Sequence, residues 1–120
     1  LAHKMYGFPF LDSSGCYGIS SRDNYIIYNK KNNINELKQI QAFLSSKTAI
    51  FIFSTTIYRM RYLEKYAFNF IPNIIEIENF PNLIEDKKEE RNQKIMDFFN
   101  FSLEEQNYIN NYVSDYNYFI

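Results

Sequence analysis

The stretch ELKQIQAFLSSKTAIFIFSTT, residues 36–56, decides whether this chain is built around helices or around a central strand. Its first half reads one way only. Leu37, Ile40, Phe43 and Leu44 recur at helical spacing on one face, and Asn35 stands where a helix cap is expected. The second half is ambiguous. Ala49–Phe53 is an uninterrupted apolar run, which suits a buried strand as well as a buried helix. The helix could stop at Ser45–Ser46 or restart beyond them. The length of the run and its helical flank favour a second helix.

Working outward, Ile57–Phe68 carries Met60, Leu63 and Ala67 at helical spacing and should break before Pro72. IPNIIEIENFPNLIE, residues 71–85, has two prolines and the alternation Ile75-Glu76-Ile77-Glu78, which predicts a strand or an extended loop. Lys87–Phe99 predicts a helix with Ile95, Met96 and Phe99 inward. Ser102-Leu103-Glu104-Glu105 has the spacing of a capping box, in which the hydroxyl accepts a free amide and the carboxylate reaches back. The helix it opens shows Tyr108, Ile109, Tyr112 and Val113 as its apolar stripe, and as an exposed tyrosine-rich helix, Leu103 to Tyr118, it could alternatively dock a protein partner.

Upstream, Tyr6–Leu11 and Cys16–Ile19 read as short extended pieces around a turn at Asp12-Ser13-Ser14-Gly15, with a third strand at Tyr25–Tyr28. The expectation is an α+β fold, a small N-terminal antiparallel sheet followed by three to four helices. Residues 1–120 are expected to form a single domain, since no linker or repeat divides them.

Several functions lack the residues they need. His3 is the one histidine, so no Ser/His/Asp or Cys/His arrangement can be assembled, and zinc lacks ligands. Cys16 is the one cysteine, which rules out an intrachain disulfide. Gly7, Gly15 and Gly18 do not form the glycine loop that cradles phosphates before a helix. Glu76, Glu78, Glu85, Asp86 and Lys87 have the composition of a carboxylate metal site, but at the generic spacing of a solvated acidic loop. No catalytic motif is present. The longest apolar run is too short to cross a bilayer, and no signal-peptide pattern occurs. An intracellular (cytoplasmic) piece of a longer polypeptide is expected.

The charge is divided along the chain. Residues 1–65 hold nine Lys/Arg against four Asp/Glu, residues 66–120 four against ten, and the net of −1 conceals +5 and −6. One half can therefore face a polyanion while the other stays clear of it. The aromatic share of 19% adds little, because abundant Asn, Ile, Lys, Tyr and Phe together mark an AT-rich coding genome. Position matters more. On a helix Tyr58, Tyr62 and Tyr66 form a stripe, and Arg61 and Lys65 share a face, with Arg59 on another side. Such a set suits phosphate contact and base stacking. It equally suits a core stripe whose hydroxyls reach the surface, with the cations paired to acids. Arg22, Lys30, Lys31 and Lys47 could extend a positive face.

LSSKTAIFIFSTTIYRMRYLEKYAFNFIPN, residues 44–73, resembles the C-terminal target-recognition region of type II adenine-specific DNA methyltransferases, including the fused restriction–modification kind. Leu44, Ser46 and Lys47 match its Leu-x-Ser-Lys step. Arg61, Tyr62, Leu63 and Lys65 match its aromatic and basic segment, and Ile71 and Pro72 its exit. YGFPFLDSSGCYGISSRDNYIIYN is similar to the small sheet before that helix, and FFNFSLEEQNYINNY to the closing helix. The family's catalytic Asn-Pro-Pro-aromatic loop is absent, since Pro9, Pro72 and Pro81 follow Phe8, Ile71 and Phe80. Its glycine loop for S-adenosylmethionine is absent too. The resemblance thus implies a specificity-bearing piece whose S-adenosylmethionine-dependent methyltransferase domain lies upstream or on another polypeptide. Its partner would be double-stranded DNA, gripped around a flipped adenine. Arg59, Arg61 and Lys65 would contact it, Tyr58 and Tyr62 would support or stack, and Arg22 and Lys47 would assist.

Overall fold

The computed structural model describes residues 9–15, 27, 33–55 and 65–113, leaving aside the side chains of 65–67. Four α-helices, α1 (Ile34–Leu44), α2 (Lys47–Thr55), α3 (Lys88–Phe98) and α4 (Leu103–Tyr112), and one 3₁₀ helix (Lys65–Phe70) make up the described regular structure. No strand occurs among the described residues. The sheet expected over Tyr6–Leu11, Cys16–Ile19 and Tyr25–Tyr28 falls largely outside them; Pro9–Leu11 and Ile27, which are described, are not in strands. No helix among the described residues is long and apolar enough to cross a membrane.

The ambiguous run is a helix, and it is the hub. α2 packs against α1, α3, α4 and the 3₁₀ helix. Ala49 and Phe53, one turn apart, enter a core cluster with Phe43, Leu44, Ile74, Leu83 and Ile95. Ile50 enters a second cluster with Met96, Ile109 and Val113, and Phe51 packs against it. A helix covered on several sides must be apolar all round, which removes the periodicity that would have marked it.

α1 begins at Asn33, not Asn35. The Asn33 Oδ1 accepts the Glu36 N–H at 3.2 Å, satisfying one of the free amides of the first turn. α1 ends at Leu44, where the Ser45 N–H returns to the Gln41 carbonyl and the Ser46 N–H to Phe43. Ser46 then starts α2, its Oγ accepting the Ala49 N–H at 3.2 Å. Two serines therefore close one helix and open the next.

The segment 71–85 is neither a strand nor extended. It is a chain of turns, with the Asn73 and Asn82 side chains accepting the amides of Ile75 and Ile84 at 3.3 and 2.9 Å. Asn79 stands at φ 62°, a left-handed conformation that asparagine tolerates. The turns let Ile74 and Leu83 both reach the core, at 3% and 0% exposure. Gln39 on α1 clamps this segment, donating from Nε2 to the Pro81 carbonyl at 2.6 Å and accepting the Leu83 N–H at 2.8 Å.

α3 and α4 are joined by two capping devices in succession. The Asn100 N–H donates to the Asp97 carbonyl and the Phe101 N–H to Met96, at 3.1 and 3.0 Å, the paired bonds of a Schellman ending. Asn100 sits at φ 55°, where glycine is usual. Ser102 then makes both bonds of the expected capping box with Glu105. Ile95, Met96, Ile109 and Val113 are buried as expected, and Phe99 packs on the core from the end of α3. Tyr108 and Tyr112 are not buried: they are 62% and 43% exposed, stacked on each other, with the Phe51 ring edge-on to both.

Candidate nucleic-acid interface

Of the residues expected to contact DNA, Arg22, Tyr58, Arg59, Arg61 and Tyr62 lie outside the described residues. Lys65 opens the 3₁₀ helix, with its side chain also outside them. The expected helix over Ile57–Phe68 is described only at its end, and there it is 3₁₀ rather than α. Both flanks of the basic segment are nevertheless anchored. Phe53, near the end of α2, is buried, and its ring meets that of Phe68 edge-on at 5.2 Å between centroids. Phe53 and Phe68, which bracket Arg59 and Arg61 in sequence, therefore lie side by side.

Lys47 is the one candidate whose side chain is described. Its backbone N–H donates to the Asn92 Oδ1 at 2.8 Å, and its ammonium reaches the Asn110 Oδ1 at 3.4 Å. Both partners are neutral amides. Lys47 thus joins α2 to α3 and α4 without losing its charge to a carboxylate, but it is tethered rather than extended toward solvent.

The acidic half has a structural use for part of its charge. Glu89 and Glu90 occupy the first turn of α3, and Glu104 and Glu105 that of α4, where the positive end of the helix favours carboxylates. The Ser102 backbone and hydroxyl, bonded to Glu105, hold its carboxyl below the usual glutamate value. Lys94 pairs with Asp86 at 2.6 Å. Among the described residues no group of His, Cys, Asp and Glu is gathered to hold a metal ion, so Glu76, Glu78, Glu85 and Asp86 do not assemble a carboxylate site.

Two cations emerge that the sequence reading did not connect. Arg91 on α3 donates from Nε to the Leu83 carbonyl at 2.9 Å and from Nη2 to Ile84 at 3.2 Å. Lys38 lies across from it on α1, and both line one cleft. The signal for Lys38 was available. Lys38, Gln41, Ala42 and Ser45 follow the spacing that places residues on one helical face. Arg91 carried no such signal, because its partners are carbonyls of the turn segment.

No family model, curated protein or solved structure matches the chain. The described residues do not fit S-adenosylmethionine either. Their one glycine, Gly15, sits at φ 68° in a turn closed by its N–H on the Asp12 Oδ1 at 2.8 Å, not in a loop opening a helix.

Proposed function

We propose that the chain binds double-stranded DNA as the target-recognition part of a site-specific adenine-N6 methyltransferase. The methyltransferase domain, with its S-adenosylmethionine site, is a separate unit upstream or on a partner. The observation that supports this reading is the contact of Phe53 with Phe68, the described residues that bracket the basic segment 56–64 in sequence. A basic, tyrosine-rich segment tied at its base can present Arg59 and Arg61 to a phosphate backbone at a reduced ordering cost. The acidic residues engaged at helix starts and in the Asp86–Lys94 pair are consistent with a scaffold that stays clear of the polyanion. In this reading Lys65, Tyr58 and Tyr62 assist at the same segment, and Arg22 and Lys47 are peripheral.

The test is anisotropy of a labelled random-sequence duplex titrated with the full chain. Saturable binding that an unlabelled duplex competes away supports the reading. Absence of binding at low salt removes it.

A second reading, a protein-interaction module, is favoured by Leu103, Tyr108 and Tyr112, exposed by 73%, 62% and 43% on α4. Light scattering of the eluted chain separates the two. A stable assembly without DNA, together with no duplex binding, favours the interaction module.

A further inference from the structure

We propose that the cleft between α1 and α3 is an anion site that takes a phosphate group. The cleft measures about 240 Å³ and presents Lys38, Gln41, Ser45 and Arg91 above an apolar floor that includes Ala42 and Ile84. It belongs to the helical scaffold, so it stands apart from the reading of residues 56–64.

The half-buried Arg91 is the central observation. Its guanidinium is charged at every physiological pH and offers five N–H donors. Two are used, by the carbonyls of Leu83 and Ile84, which carry no charge. The other three have no partner among the described residues, and no carboxylate among those residues lines the cleft. A partly desolvated cation without a counter-charge is costly, and an incoming anion relieves that cost.

The surroundings are suited to one. Lys38 is exposed, has no hydrogen-bond or ion-pair partner among the described residues, and brings a second positive charge from α1. Gln41 donates from Nε2 to the Pro9 carbonyl at 2.8 Å, holding the 9–11 segment against α1. Ser45 is buried and its hydroxyl donates to the Gln41 carbonyl at 2.8 Å, which fixes this end of α1. Asp12, beside the cleft-lining Leu11, already accepts the Gly15 N–H. The Nε and Nη2 groups of Arg91 bond the Leu83 and Ile84 carbonyls, which leaves Nη1, and Lys38 lines the same cleft as a second, separate charge. That arrangement matches the several oxygens of a phosphate monoester or diester better than a single carboxylate.

The experiment is an NMR titration of the full chain with inorganic phosphate, at an ionic strength held constant with chloride. Saturable shifts confined to Lys38–Ser45, Leu83–Ile84 and the Arg91 Nε–H are expected. Lys38→Glu should weaken the apparent affinity about tenfold and Lys38→Arg should preserve it, with the melting temperature unchanged in both. Shifts that chloride reproduces, or an affinity indifferent to Lys38→Glu, would overturn the proposal. A second titration with a DNA duplex identifies the source of the phosphate. Movement of the same resonances assigns the cleft to a phosphodiester of bound DNA; their stillness, with the phosphate response intact, assigns it to a small phosphate compound. Failure of the phosphate titration leaves duplex binding through residues 56–64 unaffected, so the two proposals fail separately.

Discussion

The Asn92 side chain on α3 accepts the backbone N–H of Lys47 at 2.8 Å, so one helix caps the start of another 45 residues away in sequence. Asn92 is 7% exposed, and water cannot readily replace it. Asn92→Ala should cost about 1–3 kcal/mol, the penalty for leaving a buried donor unsatisfied. Urea unfolding measures this. A change within error would mean that the Lys47 amide finds another acceptor.

Asn100 holds the left-handed position between the Schellman ending of α3 and the capping box of α4. Asn100→Val should cost about 1–2 kcal/mol, because a β-branched residue is strained at positive φ. Asn100→Gly should be neutral or slightly stabilising in the same assay. Equal effects of the two substitutions would refute the backbone explanation.

Glu105 gives a pH dependence with a defined sign. The Ser102 backbone and hydroxyl hold its folded-state carboxyl below the usual glutamate value. Its contribution is therefore present above the unfolded value and is lost as pH falls through the lowered folded one. The stability difference between wild type and Glu105→Gln should shrink on acidification through that window. Thermal melts at stepped pH check this, and a difference that stays constant would contradict it.

Thr48, 3% exposed near the start of α2, buries an Oγ1 that has no hydrogen-bond partner among the described residues. Thr48→Val keeps the shape and removes the unsatisfied hydroxyl. It should stabilise the fold by about 1 kcal/mol. A lower melting temperature instead would show that the hydroxyl has a partner.

The sequence was most legible where a local rule and the tertiary packing agreed. Ser102 with Glu105, and Ile95 with Met96, met both demands, and both readings hold. The cap of α1 was placed two residues late, although Asn33 and Glu36 have the Asn-x-x-Glu spacing. The alternation at Ile75–Glu78 failed because Asn73, Asn79 and Asn82 turn the chain every few residues, and turn chemistry outweighs a short period-two pattern. The stripe of Tyr108, Ile109, Tyr112 and Val113 divides in the fold: Ile109 and Val113 are core, whereas the two tyrosines lean on the Phe51 ring and stay exposed. The cleft was invisible from Arg91 alone, whose partners are carbonyls that any residue could supply.

The central claim, that cations of residues 56–64 grip DNA, is tested most directly by the salt dependence of duplex affinity in wild type and Arg61→Ala. The account predicts that wild-type affinity falls steeply as salt rises, and that the slope for Arg61→Ala is shallower by about one unit, the signature of one lost phosphate contact. Parallel slopes, or binding indifferent to salt in both proteins, would contradict it.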